Sequence, residues 1–183
     1  MEFISQIYYP SKKDSPIIRE EKIFWLGGGI AVLGILISIL SDKFGGIYWI
    51  EILGTVMGII GLILFLYGSF ACMSKNEPLN GELTEQIKIS PTKIYIGQNE
   101  YPIFDITNLK IYANDFKGKM YPHYNYIGPW CSNGVKSNIS FEFNGNLIKE
   151  HFFVADKSKM TELNKIQSEI KNTVANTVSY EKH

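Results

Sequence analysis

Between Phe116 and Val135 the chain gathers the residues best suited to hold a ligand. Lys117, Lys119 and His123 are interleaved with Tyr121, Tyr124, Tyr126 and Trp130, and Lys136 follows at once. No acid interrupts the stretch. Aromatic rings stack on nucleobases and ammonium groups sit near phosphates, so this mixture points to nucleotide binding. The competing reading is that part of the segment is one more strand whose rings pad the core. Gly118, Pro122, Gly128 and Pro129 make it a loop. A loop this long inside a small domain is uncommon unless it has work to do, and its aromatic content argues against disorder. Arg19 is the only arginine, so a phosphate here would be gripped by lysines, hydroxyls or backbone amides and not by a guanidinium fork.

Catalytic chemistry has little to work with. HExxH, CxxC, P-loop, GxSxG and dinucleotide-binding glycine motifs are all absent from the sequence. Gly27-Gly28-Gly29 opens an apolar run and follows no strand, so it is not a phosphate loop. His123, His151 and His183 are far apart, and His151 reads as an outward-facing strand residue. Cys72 and Cys131 form neither a metal-ligand spacing nor a disulfide framework and read as free thiols. The expectation is a protein with no catalytic residues, no metal and no cofactor. With 18 basic and 18 acidic residues, the chain lacks the basic excess that a DNA or RNA polymer would ask for.

The elements that must position the loop fall into two kinds. Ile23 to Leu40 carries no charge, and a second apolar run from Ile47 to Met73 is interrupted only by Glu51. A hydrocarbon core of about 30 Å needs about 20 apolar helical residues, so both runs predict transmembrane helices joined at Ser41–Gly46. A cleaved signal peptide fits poorly, because a polar stretch precedes the first run and a second span follows it. Residues 1–22 read as a tail carrying Lys12, Lys13, Arg19 and Lys22, against Lys43 alone in the turn. The positive-inside rule places that tail, and after two crossings everything beyond residue 73, in the cytoplasm.

Small residues recur on one face of each helix: Gly27, Ala31, Gly34 and Ser38 in the first, and Gly54, Gly58 and Gly61 in the second. Such faces let helices approach closely in lipid. The partner can be the other helix of the hairpin or a second copy of the chain. Glu51 is an ionisable residue inside a span, which marks either an interfacial anchor or a pore-lining or oligomer contact.

After a breaker-rich joint at Asn76–Gly81, residues 78–183 form the water-soluble part. Leu83–Ile89, Lys93–Gly97, Tyr101–Phe104 and Ile106–Ala113 read as strands. Asn138–Phe143 and Leu147–Val154 flank Asn144-Gly145, a hairpin turn signal. Runs at this spacing predict a small antiparallel β-barrel. Met160, Leu163, Ile166, Ile170 and Val174 recur at helical intervals, with Asp156 or Ser158 as N-cap. This C-terminal amphipathic helix closes the barrel, and the tail beyond about Asn172 is expected to fray.

Two resemblances follow. Lys93-Ile94-Tyr95-Ile96, Tyr101 to Ile106, Ser140 to Asn146 and the closing helix resemble bacterial pleckstrin-homology-like domains. A two-helix hairpin followed by a small β-barrel is similar in architecture to the membrane effectors of cyclic-oligonucleotide (CBASS) antiphage systems. The second resemblance implies a multi-pass protein of the bacterial inner membrane with both termini cytoplasmic. Its barrel would bind a cyclic di- or oligonucleotide and drive homo-oligomerisation that breaks the bilayer in antiviral defence. Lys117, Lys119, Tyr124, Tyr126, Trp130 and Lys136 are the ligand contacts our reading of the loop supplies. The first resemblance implies a membrane-tethered protein-interaction module, such as a toxin immunity protein.

Overall fold

The computed structural model describes residues 1–13, 15–43, 45–121 and 128–180, the last of these, 174–180, as backbone only. The chain divides into two compact units: a sheet unit (residues 1–15, 79–120 and 132–183) and a helical unit (residues 16–78 and 121–131).

In the helical unit, α1 (Arg19–Lys43) and α2 (Tyr48–Met73) form an antiparallel hairpin. Among the described residues these are the two helices long and apolar enough to cross a membrane. Their outward surface is greasy throughout, with Leu33, Ile35, Ile39, Leu53, Ile59 and Ile63 all more than half exposed. A helix apolar all round and yet uncovered by protein is suited to lipid.

The sheet unit holds seven antiparallel strands: β1 (Phe3–Pro10), β2 (Gly81–Ile89), β3 (Lys93–Ile96), β4 (Asn99–Pro102), β5 (Thr107–Tyr112), β6 (Ser137–Phe143) and β7 (Asn146–Phe152), followed by α3 (Lys157–Tyr180). Their order across the sheet is β4-β3-β2-β1-β7-β6-β5. Residues 1–22 are therefore not merely a tail. β1 is the central strand, paired with β2 from Phe3↔Ile89 to Pro10↔Gly81 and with β7 at Ile7↔Phe152 and Tyr8↔His151. Burial alternates along β6, where Ser137, Ile139 and Phe141 point inward. Ile139 and Phe141 join Phe3, Ile7, Ile87, Ile89, Ile94 and Phe152 in one core. Asp156 caps α3 by accepting a 2.9 Å hydrogen bond from the Lys159 amide. α3 then lays Leu163, Ile166 and Ile170 into that core, and its backbone runs on past Asn172 to Tyr180. Val174 lies beyond the described side chains.

The expected barrel is corrected to an open sheet, since the hydrogen-bonded ladder ends at β4 and β5. The edge residues explain why. β4 is four residues long and ends at Pro102, which has no N–H to offer. In β5, Asn108 takes a left-handed φ of 55° and the register shifts between Thr107 and Lys110, a bulge that spoils further pairing. The sheet nonetheless curls, because Tyr101 of β4 stacks edge-on against Phe141 and Phe143 of β6, each at 5.2 Å. From α3, Gln167 Nε2 donates to the Ile111 carbonyl of β5 at 3.1 Å.

Candidate functional site

The segment between β5 and β6 is built from its base outward. Asp115 is buried, and its Oδ2 accepts from Ser132 Oγ at 2.6 Å and from the Lys136 amide at 3.1 Å. Ser137 Oγ donates to the Asp115 carbonyl at 3.0 Å, and the Gly134 amide donates to Ser132 Oγ at 2.9 Å. A carboxylate taken from water survives only with such donors around it, so Asp115 staples the two ends of the segment together. Backbone bonds extend the staple: Lys117 N to Val154 O, Gly118 N to Ser132 O and Ser132 N to Lys119 O, each 2.9 Å.

Beyond this base the chain passes to the helical unit. Cys131 forms a parallel bridge with Asn76 just past the end of α2. Its amide donates to Lys75 O at 3.1 Å, and its carbonyl accepts from the Glu77 amide at 2.7 Å. The Tyr121 amide donates to Trp130 O at 2.9 Å.

The residues expected to grip a nucleotide are thus split. Lys117, Lys119 and Lys136 belong to the sheet unit, and Trp130 to the helical one. Lys117 and Lys136 are exposed, whereas Lys119 Nζ donates to the Asn114 carbonyl. Trp130 is half-buried. Tyr124 and Tyr126, with His123, lie outside the described residues. A hollow in the sheet unit, lined by Phe3, Ile4, Ser5, Gln6, Phe153, Ala155 and Lys159, measures about 190 Å³, below the ~300 Å³ at which small-molecule sites begin. Among the described residues no three His, Cys, Asp or Glu side chains gather as a metal site would require.

The small-residue faces meet inside the hairpin. A Cβ placed on Gly27 would lie 2.4 Å from Phe65 N, one on Gly34 2.4 Å from Gly58 N, one on Gly61 2.3 Å from Ala31 N, and one on Gly54 2.6 Å from Ser38 Oγ. Gly68 against Phe24 N at 2.5 Å extends the same seam by a further turn, a position that sequence spacing alone does not flag. A Cβ on Gly58 would meet nothing. Gly58 borders an outer groove of about 400 Å³ shared with Ala31, Ser38 and Thr55. Glu51 sits exposed in the first turn of α2, where its carbonyl accepts from Thr55 Oγ1 at 2.9 Å.

On the sheet, Lys93 of β3 pairs with Glu100 of β4 at 2.5 Å, and the groups shifted by burial lie on β1 and β7. Burial, then the charge of Glu85, raises the Glu150 carboxyl above its usual range. Burial, then Lys149, lowers the His151 imidazole. The Tyr9 phenol is raised by burial and then by Glu150 and Glu85.

Comparison of the chain with protein-family models, with curated proteins and with solved structures finds no match.

Proposed function

We propose that the protein is a membrane-tethered interaction module with no catalytic role. The α1–α2 hairpin spans the cytoplasmic membrane, and the sheet with α3 contacts a partner protein at its inner surface. The observation that carries this reading is the pairing of β1 with β2 across the hairpin, from Phe3↔Ile89 to Pro10↔Gly81. Two strands that are neighbours in one sheet must emerge on the same side of any bilayer the intervening segment crosses. A single crossing would leave them some 30 Å apart. The charge bias of Lys12, Lys13, Arg19 and Lys22 before α1, against Lys43 in the turn, supports the cytoplasm as the shared side. The strands-then-helix order fits the pleckstrin-homology-like resemblance, and an adaptor or a toxin immunity protein is the form such a module would take.

A second reading is a cyclic-nucleotide effector that assembles and breaks the membrane. It is favoured by the exposed Lys117 and Lys136 at the base of an acid-free, aromatic segment. Against it, the small-residue faces that would rebuild an oligomer are already engaged within one hairpin. A ligand can shift assembly only by its differential affinity for the two states, and here that difference must also cover separating α1 from α2.

Co-expression with active and inactive nucleotide cyclases, following membrane potential, separates the two. The tethered module leaves the potential unchanged in both. Collapse with the active cyclase alone overturns it in favour of the effector.

A further inference from the structure

Tyr121 and Trp130 belong to the helical unit and not to the sheet core. In a bilayer, α2 with its 26 residues is about 39 Å long, some 9 Å more than the ~30 Å hydrocarbon core. Its ends therefore reach the headgroup layers. Exposed aromatics mark both ends of the hairpin: Tyr48 and Trp49 near the turn, and Trp25, Tyr67 and Phe70 near the other end. Such belts of amphipathic rings are what the membrane–water interface selects. Cys131 is fixed by two backbone hydrogen bonds to Lys75 and Glu77, immediately beyond Met73, the last residue of α2. Its thiol also approaches the Met73 carbonyl at 3.7 Å. Trp130 is the preceding residue, and Tyr121 is held to it by a 2.9 Å hydrogen bond. Both residues are thereby placed at the depth of the α2 terminus. The chain from Phe116 to Val135 carries no acid that anionic headgroups would repel.

We infer that Tyr121 and Trp130 are bilayer-interface residues, whose rings lie in the lipid headgroup layer. This rests on the reading that α1 and α2 lie in a bilayer. It also changes the chemistry assigned to Trp130, whose ring then contacts lipid and is withdrawn from stacking on a soluble nucleotide.

The test uses the full chain in vesicles of phosphatidylcholine and phosphatidylglycerol. Trp25→Phe with Trp49→Phe leaves Trp130 as sole emitter, and Trp49→Phe with Trp130→Phe leaves Trp25. A third variant, with all three tryptophans replaced by Phe and Tyr121→Trp added, reports independently on the second position. Lipids brominated near the headgroup, lipids brominated near the chain end, and aqueous iodide serve as quenchers. The expected result is blue-shifted emission, from Trp130 and from the Tyr121→Trp variant alike, that shallow bromines quench more than deep ones and that iodide barely touches. Emission from both positions quenched by iodide and indifferent to bromine, while Trp25 is quenched by bromine, overturns the inference and leaves the membrane reading standing. Indifference of Trp25 to bromine as well overturns both.

Discussion

The Tyr8 hydroxyl donates a 2.5 Å hydrogen bond to the backbone carbonyl of Asn80, on the far side of the whole α1–α2 hairpin in sequence. The Ser11 amide donates to the same carbonyl at 2.9 Å, and Asn80 Nδ2 donates to Lys13 O at 2.6 Å. These bonds pin the point where the chain leaves the sheet to the point where it returns. The apolar hairpin is thus an insertion between two adjacent central strands. A domain cut at residue 78 would lack its middle strand.

That arrangement predicts that a 78–183 fragment does not fold. Without β1 the core loses Phe3 and Ile7, both almost fully buried, and β2 and β7 lose their shared partner. Circular dichroism and amide-proton dispersion should show a disordered or aggregating fragment, rescued in part by a 1–15 peptide. In the intact chain, Ile7→Ala should cost about 2–5 kcal/mol in denaturant unfolding. A cooperative, native-like fragment would contradict the topology.

Close packing in the hairpin predicts a contrast between glycines that look alike in sequence. Gly61→Ala forces a Cβ to within 2.3 Å of the Ala31 backbone and should destabilise the protein by about 1–3 kcal/mol in detergent. Gly29→Ala meets nothing, and should be neutral or slightly stabilising because alanine is the better helix former. Equal melting temperatures for the two variants would show that the α1–α2 seam is not as described.

Asp115→Ala leaves Ser132 Oγ and the Lys136 amide without this acceptor in a buried place, at a cost of about 1–3 kcal/mol. Asp115→Asn keeps the shape and one acceptor oxygen and should lose less. Urea unfolding measures both, and no loss in either variant would remove Asp115 as the staple of the segment.

The raised Glu150 carboxyl makes stability depend on pH with a definite sign. A folded-state pKa above the unfolded value means that the charged form is disfavoured by folding. Its contribution is thus full at low pH and is lost as pH rises through the folded pKa. Glu150→Gln should therefore melt higher than the wild type at neutral pH, with the gap closing as pH falls below about 4. The lowered His151 acts the other way: its neutral form is favoured by folding, and stability falls as pH drops below about 6.5. Melting curves of the wild type, Glu150→Gln and His151→Gln between acid and neutral pH separate the two.

The helices are legible in the sequence because long uncharged runs have few alternatives. α1 extends its expected span by about a turn at the N-terminal end, into charged residues that the apolar run alone does not include. Most strands after residue 81 and the Asn144-Gly145 turn are legible for the same kind of reason, Gly145 taking the left-handed φ of 77° that the turn requires; the strand expected at Tyr101–Phe104 is instead Asn99–Pro102, with Ile103–Asp105 wound into a 3-10 turn. β1 is not. Phe3, Ser5 and Ile7 alternate, and Tyr8 and Tyr9 favour a strand, but its partners are 70 or more residues away and no local turn announces them. Ring closure fails because Pro102 and the Asn108 bulge blunt edges that strand runs, read one by one, make look equal. The loop is legible as an acid-free aromatic segment, whereas its division between the sheet and helical units depends on backbone bonds at Cys131 that no side-chain pattern encodes.

One labelling measurement tests the central claim most directly. Single cysteines at Lys12, Lys43 and Asn164, in a background with Cys72 and Cys131 replaced by Ser, are exposed to a membrane-impermeant maleimide in sealed vesicles of one orientation. A hairpin inserted between paired strands predicts that positions 12 and 164 label together from one face and position 43 from the other. Labelling of 12 and 164 from opposite faces, or of all three from one face, would contradict it.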